Sequence, residues 1–187
     1  MDPRYDRANT LALLHEHTLT DSLRRHAYAV EAAMRAAAVR TGGDQDYWAA
    51  VGLLHDFDYE RYPEPPDHPL KGAEILRAKG YPEEFVRTIL SHASYTGVPR
   101  ENDCARWLFA VDELCGFCMA CAMVQPDRSI AAVQVKSVRK KLKKRDFAAK
   151  VSREEIAEGV ADLQLEPDEV IAHVLAALGG VSGELGL

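Results

Sequence analysis

The stretch VGLLHDFDYE, residues 51–60, joins an apolar run directly to a cluster of ionisable side chains. Apolar residues recur at three- and four-residue spacing up to this point, and Asp44 can cap the start of the run. This pattern predicts a helix that ends near His55 and Asp56. The proline-rich segment 62–67 cannot continue that helix. A histidine and an aspartate therefore stand side by side where an apolar helix gives way to a loop.

The same helical periodicity runs along most of the chain, which is rich in Ala, Leu, Glu, Lys and Arg. Glycines, prolines and capping residues such as Thr20 divide it into about eight or nine helices. The sequence predicts an all-α protein with a single domain over residues 1–187, including a C-terminal helical extension over residues 127–180. A basic helix is expected from about 129 to 144, and the final GGVSGELGL is expected to fray.

Length and composition narrow the class of protein. The chain has 187 residues, of which 47% are hydrophobic and 28% charged, as is typical of one globular domain. A net charge of −6 disfavours a protein that coats nucleic acid. The polar start MDPRYDRANT lacks an apolar signal region, and no apolar run reaches the roughly 20 residues of a membrane span. These features predict a cytoplasmic protein without a membrane partner.

Other histidines, and one aspartate, occupy positions that packing alone does not explain. His26 falls inside a long predicted helix, His68 opens a helix and His92 ends one. Asp112 interrupts WLFAVDELCGF, the most apolar stretch of the chain. A buried carboxylate needs a cation beside it, so a metal ion would explain Asp112. The residue could also face solvent or pair with Arg106, and the sequence leaves these explanations open.

The order H…HD…H…H…D resembles the HD superfamily of metal-dependent phosphohydrolases, a helical-bundle fold, over residues 21–113. The segment HPLKGAEIL adds the His-Pro-x-x-Gly pattern that is common in binuclear members. The resemblance implies six metal ligands in two groups that share one aspartate: His26, His55, Asp56 and Asp112 in the first, and Asp56, His68 and His92 in the second. It also implies one or two divalent transition-metal ions, such as Mn, Fe, Co, Ni or Zn, which suit imidazole and carboxylate ligands.

The function implied by the resemblance is hydrolysis of a small phosphate ester or nucleotide by a metal-activated water. Asp56 would bridge the metals, and Asp58 is a candidate proton-transfer group on position alone. HDFDYE lacks the Glu-Asp pair of the nucleotide-alarmone hydrolases, and the Gly-Tyr-Pro of residues 80–82 lies before His92, unlike the arrangement in cyclic-di-GMP phosphodiesterases. The series HDFDYE, HP, SHA and VDEL is more similar to small stand-alone bacterial HD proteins described only as predicted hydrolases. A di-iron oxygenase and a non-catalytic binding or regulatory module remain as alternatives.

The segment KSVRKKLKKRDFAAK, residues 136–150, has eight basic residues and one acidic residue. It is either a solvated helix face or a positive wall that attracts a substrate phosphate. Lys136, Ser137 and Lys140 can share one helical face, so we expect these three to bind a phosphorylated small molecule or nucleotide. Phe147 is the single aromatic residue here, which disfavours nucleic-acid binding. The sequence does not indicate an oligomeric state.

The remaining residues that could bind a metal are assigned structural roles. Cys115, Cys118 and Cys121 have the C-x-x-C-x-x-C spacing of some iron–sulfur proteins. Their alanine-rich helical setting favours buried, apolar roles instead. Three histidines are expected to be surface or capping residues: His15, His17 and His173.

Overall fold

The computed structural model describes residues 2–187, and within that range all regular secondary structure is helical, with no strand. Its α-helices are α1 (Arg7–His17), α2 (Asp21–Thr41), α3 (Gln45–Leu54), α4 (Asp67–Ala78), α5 (Glu83–Leu90), α6 (Asp103–Met123), α7 (Val135–Leu142), α8 (Arg153–Asp162), α9 (Pro167–Gly180) and α10 (Ser182–Leu185). The all-α prediction is confirmed. Nine of the ten helices have eight or more residues, which matches the expected number.

The two longest helices, α2 and α6, have 21 residues each and pack against each other at the centre of the fold. Helix α3 packs closely on α2 at Gly52. A Cβ at this position would lie only 2.8 Å from the carbonyl oxygen of Val30, so a side chain would not fit. Helices α8 and α9 cover the other sides of the pair. This arrangement brings the end of α3 beside the first half of α2 and the middle of α6.

Side-chain capping marks the start of four of the ten α-helices, α1, α3, α6 and α8. The side chain of Asp44 accepts hydrogen bonds from the backbone N–H groups of Asp46 and Tyr47, which begins α3 where the sequence predicts it. Thr20 occupies the N-cap position of α2, but its hydroxyl donates to Glu60 Oε1 at 2.6 Å instead of capping the helix. The position of the cap was therefore predictable, although the partner of its side chain was not.

The basic helix is shorter than predicted. Residues Ile130–Ala132 form a 3-10 turn, Val133 is extended, and only Val135–Leu142 forms α7. Buried Ile130, Val133 and Val138 tie this segment to the core. Repulsion between like charges at three- and four-residue spacing disfavours a longer helix through the lysines that follow.

The C-terminus is ordered, so the prediction that it frays is wrong. Helix α9 continues to Gly180, and α10 follows after a single residue. Leu185 is buried in the core, and Glu184 forms an ion pair with Arg7 at 2.7 Å. The buried side chain of Leu185 and the ion pair of Glu184 therefore hold this segment in place. Its glycine-rich composition had suggested flexibility.

The cysteines, His17 and His173 have structural environments, as the next contacts show. All four cysteines are free and buried, and burial raises the pKa of Cys121 to about 11, which disfavours the thiolate that a metal needs. His17 is also buried, with 6% exposure, so its prediction as a surface residue is wrong. It packs edge-on against Phe57, and His173 bonds to the carbonyl oxygen of Ala33.

One continuous hydrophobic core includes residues from α2, α3 and α6 and also from α8, α9 and α10. The C-terminal helices therefore share their buried surface with the central pair. Within residues 2–187, none of the helices combines the length and the hydropathy that crossing a bilayer requires.

Candidate metal centre

Three helices bring the first group of candidate ligands together. His26 lies in α2, His55 caps the end of α3 with Asp56 beside it, and Asp112 lies in α6. Asp112 Oδ1 is 3.0 Å from His26 Nε2 and 3.3 Å from His55 Nε2. His55 Nε2 is in turn 3.6 Å from Asp56 Oδ2. All four residues offer a ligand atom within 4.8 Å of one another.

The second group is built on the other oxygen of Asp56. Asp56 Oδ1 lies 3.2 Å from His68 Nε2 and 3.3 Å from His92 Nε2. His68 lies at the start of α4, where the backbone is not yet helical, and His92 follows the end of α5. The ligand atoms of these three residues also lie within 4.8 Å of one another. Asp56 therefore stands between the two groups and offers one oxygen to each.

Three of the four histidines are oriented by a hydrogen bond from the ring nitrogen that faces away from the centre. His55 Nδ1 donates to the carbonyl oxygen of Gly52 at 2.7 Å, and His92 Nδ1 donates to that of Ile89 at 2.6 Å. His68 Nδ1 bonds to a carboxylate, Asp58 Oδ1, at 2.9 Å. With the proton on Nδ1, each Nε2 presents a lone pair to the centre, as metal-binding histidines do.

The unsatisfied atoms of the site fit a divalent cation. His55 is fully buried, and its Nε2 has no hydrogen-bond partner among residues 2–187. The Nε2 atoms of His68 and His92 face each other at 3.3 Å although both rings bond through Nδ1. Two neutral rings that each carry a proton on Nδ1 have none between their Nε2 atoms, so this position requires either an added proton or a cation. Imidazole nitrogens and carboxylate oxygens converging in this way are a ligand set for Mn, Fe, Co, Ni or Zn.

The charges of the cluster are strongly interdependent. Burial by itself would lower the pKa of His55, but the carboxylates of Asp56 and Asp112 outweigh it and raise that pKa to about 10. Burial is likewise outweighed at His68, where bonds to Asp56 and Asp58 raise the pKa to about 9. The pKa of Asp112 falls well below its usual range because the adjacent histidines outweigh its burial. A bound cation would replace these protons as the partner of the carboxylates.

An open cavity of about 510 Å³ leads to the two groups. Five of the six candidate ligands line it, and fully buried His55 lies behind them. Its walls also contain two tyrosines, Tyr59 and Tyr95, and three charged residues, Glu113, Lys150 and Glu155. Candidate ligands and solvent are therefore connected by a space that admits a small molecule.

The three residues expected to bind phosphate do not line this cavity. Lys136, Ser137 and Lys140 lie on α7, which packs against α9 and α6, and an ion pair between Arg139 and Asp168 lies at that contact. The structure therefore does not bring these three residues into the lining of the cavity. The basic residue that lines the cavity is Lys150, at the far end of the same basic segment.

Asp58 is also placed differently from the prediction. Its side chain is buried behind His68, and it does not line the cavity. A carboxylate in that position reaches the ring of His68 and not a substrate. Its expected role in proton transfer to a substrate therefore lacks structural support.

Sequence reasoning did not single out the acidic wall. Glu113 follows Asp112 and accepts a hydrogen bond from the backbone N–H of Ser152 at 3.0 Å. Burial, followed by the charge of Asp112, raises the pKa of Glu113 to about 7, and the same two causes raise that of Glu155. The position of Glu113 next to Asp112 was a usable signal, whereas nothing local marked Glu155.

The wall contributed by residues 150–155 is held by a network around Arg153. The guanidinium of Arg153 donates to the carbonyl oxygens of Ala148 and Val151 at 2.7 and 2.6 Å, and also to that of Phe147. It lies over the ring of Phe117, 4.8 Å from the centroid. These contacts fix the loop that carries Lys150 against α6.

Comparison with known proteins agrees with this geometry. Residues 23–115 match the family model described as HD domain. The matched range contains all six residues of the two converging groups. The chain therefore contains an HD domain, and proteins with this domain are typically metal-dependent hydrolases. Searches of curated proteins and of solved structures found no significant match.

Proposed function

We propose that the protein is a metal-dependent phosphohydrolase that acts on a small phosphate ester or nucleotide. The observation that carries this proposal is the convergence of six candidate ligand residues at the base of an open cavity, with Asp56 shared between two groups. A shared carboxylate flanked by two sets of histidines is suited to two cations held close together, as in enzymes that transfer phosphoryl groups.

The chain's own residues have distinct roles in this proposal. The imidazoles of His26, His55, His68 and His92 and the carboxylates of Asp56 and Asp112 would hold one or two divalent cations. When bound, such cations lower the pKa of a water molecule and neutralise charge on a phosphoryl group. The anchored Nδ1 atoms keep the ligand nitrogens in place, so little reorganisation is needed when substrate enters.

The cavity wall narrows the substrate class. Among the described residues that line the cavity, Lys150 is the single lysine or arginine, and two glutamates, Glu113 and Glu155, line the same cavity. Additional phosphates beyond the one held at the metals would meet these carboxylates without a matching set of cations. We therefore expect a phosphomonoester with one phosphoryl group, such as a sugar phosphate or nucleoside monophosphate, to be preferred over a nucleoside triphosphate.

The test is release of inorganic phosphate from protein that has been stripped of metal and reloaded with Mn, Co, Ni or Mg. The panel contains sugar phosphates, nucleoside mono- and triphosphates and a bis-aryl phosphodiester. Cleavage of the diester is followed by release of its phenol, because that step yields an aryl monophosphate and no inorganic phosphate. Wild type is compared with Asp56→Ala, and Asp103→Ala is the control because Asp103 is an exposed carboxylate on α6. We expect metal-dependent release by wild type and the control, and none by Asp56→Ala.

A folded, metal-loaded protein that releases no phosphate from any monoester would contradict the proposal. Cleavage of the phosphodiester alone would retain hydrolysis but overturn the preference for a monoester. Consumption of oxygen by iron-loaded protein without phosphate release would identify the di-iron oxygenase instead. Faster turnover of a triphosphate than of the matching monophosphate would contradict the role given to the acidic wall.

A further inference from the structure

Asp58 is a fully buried carboxylate whose two oxygens have different partners. Oδ1 accepts a hydrogen bond from His68 Nδ1 at 2.9 Å, and Oδ2 accepts one from the backbone N–H of Gly72 at 2.7 Å. The side chain is 1% exposed. Both oxygens are satisfied inside the protein, and the ring of His68 lies between this carboxylate and the cavity.

Gly72 makes this arrangement possible. A Cβ at position 72 would lie 2.8 Å from Asp58 Cγ and 2.9 Å from its Oδ2, which is closer than real Cβ atoms approach. Any other residue would push the carboxylate away from the backbone amide or displace α4. The glycine four residues after His68 therefore provides the space that Asp58 needs in order to hold His68.

The three anchored histidines differ in the group that holds them. Backbone carbonyls hold His55 and His92, and their positions follow from the ends of α3 and α5. His68 stands on non-helical backbone before α4 and is held by a side chain. A carboxylate acceptor fixes the ring orientation, keeps the proton on Nδ1 and makes Nε2 a stronger donor to a metal.

We propose that Asp58 is a positioning residue that controls metal binding at one of the two groups, the one formed by Asp56, His68 and His92. The other group, which contains His26, His55, Asp56 and Asp112, does not depend on it. This inference rests on the proposed two-metal site but not on the identity of the reaction. It replaces proton transfer as the role of Asp58.

The experiment is a metal titration of the full chain, with Mn²⁺ or Zn²⁺ as the probe and bound metal measured by mass spectrometry and calorimetry. Asp58→Asn preserves the shape but offers only one acceptor oxygen. If that oxygen accepts from His68 Nδ1, the amide N–H group faces the backbone N–H of Gly72 and the second hydrogen bond is lost. If the amide is reversed, its N–H donates to His68 Nδ1, and the ring proton moves to Nε2. We expect the second metal equivalent to weaken by about 10- to 100-fold and the first to be unchanged.

Gly72→Ala provides an independent route to the same result, because its methyl group displaces the Asp58 carboxylate without altering any side chain that bonds to a ligand. The control is Asp46→Asn, since Asp46 is a surface carboxylate that pairs with Arg35. Nitrogen NMR of the His68 ring reports its tautomer directly, and circular dichroism checks the fold. In metal-free protein above pH 9, where the His68 ring is neutral, we expect the Nδ1–H tautomer in wild type and its loss in Asp58→Asn.

The proposal is overturned if Asp58→Asn and Gly72→Ala bind both equivalents as wild type does, or if both equivalents weaken together. It is also overturned if wild type binds a single metal. Since no outcome depends on turnover, a protein that binds two metals but releases no phosphate would contradict the phosphohydrolase and leave this inference standing.

Discussion

The HD core, residues 23–115, and the C-terminal extension, residues 127–180, both form the cavity but contribute different kinds of residue. The core provides histidines and carboxylates that are held by one another and by backbone carbonyls. The extension provides Lys150, which is exposed, and Glu155, which is half-buried; neither has an ion-pair partner among residues 2–187. The difference indicates that the core determines the chemistry, whereas the extension influences which molecules enter.

The two regions are nevertheless joined by close packing. Gly159 of α8 lies so near α6 that a Cβ there would be 2.5 Å from Ala110 Cα. Ala110 is two residues before Asp112. The contact between Gly159 and Ala110, which positions the wall of the cavity, therefore lies within one helical turn of the candidate ligand Asp112.

The largest expected effect is in the core. Asp112→Ala removes the carboxylate that His26 and His55 both contact. Loss of an outer partner of a metal ligand typically costs about 10- to 100-fold, so we expect loss of a ligand itself to lower metal affinity and phosphate release by at least about 100-fold. Metal analysis and the phosphate assay check this, with Asp103→Ala as the control on the same helix. Unchanged metal content in Asp112→Ala would exclude Asp112 as a ligand.

The next effect concerns the contact between the two regions. Gly159→Val places two methyl groups against the α6 backbone, and overpacking of this kind costs about 1–3 kcal/mol in the free energy of unfolding. Gly179→Val is the control because nothing lies within 4 Å of its Cβ position on α9. Urea unfolding monitored by circular dichroism measures both. Equal stability of the two variants would mean that α8 does not pack tightly on α6 in solution.

A smaller effect is expected in the extension alone. Lys150→Ala removes the basic side chain that lines the cavity, and we expect KM for a phosphomonoester to rise about 10-fold, equivalent to about 1.4 kcal/mol. The effect on kcat should be smaller, because Lys150 is not a candidate metal ligand. Lys140→Ala, on α7 and outside the cavity, serves as the control. If Lys140→Ala raises KM and Lys150→Ala does not, the assignment of phosphate binding to Lys150 is wrong.

The smallest expected effect concerns His17, a buried histidine at the end of α1. Neither ring nitrogen of buried His17 has a hydrogen-bond partner among the described residues, and Nε2 lies 3.5 Å from Glu16 Oε1. Burial, followed by the charge of Arg61, lowers the pKa of His17 from 6.5, with a smaller effect of Lys79 in the same direction and opposing effects of Glu16 and Asp58. The unfolded chain therefore binds a proton more readily, and stability present above pH 6.5 is lost as the pH falls towards the lower folded-state pKa.

His17→Leu removes this titration and leaves an apolar side chain against Phe57. We expect its free energy of unfolding to fall less than that of wild type between pH 7.5 and pH 5.5. Urea titrations at the two pH values provide the comparison. Parallel losses in both proteins would show that His17 is already charged, or solvated, in the folded state.

Much of the fold and of the ligand set could be predicted because both depend on local signals. Helical periodicity located most helices, and Asp44 marked the start of α3 through an ordinary capping interaction. The adjacent His55 and Asp56 were recognisable because they follow an apolar helix directly. The candidate ligands could therefore be named from the order of residues along the chain.

The tertiary structure decided which other side chains accompany those ligands. Lys136, Ser137 and Lys140 satisfied the helical spacing of a binding face, but α7 packs against α9 and α6 outside the cavity. Lys150 reaches the cavity because Arg153 holds its loop against α6. Periodicity describes the face of one helix, whereas the surface that this face meets depends on packing between elements that are distant in sequence.

The sequence by itself thus determined the all-helical class, the HD domain and the candidate ligands, since these follow from the identity and spacing of neighbouring residues. Only the tertiary structure placed Asp58 behind His68 and assembled the wall of Glu113, Lys150 and Glu155. The physical reason is that burial and long-range hydrogen bonds arise when helices pack. The glycines that permit contact, Gly72 and Gly159, show their role only when the neighbouring atoms are known.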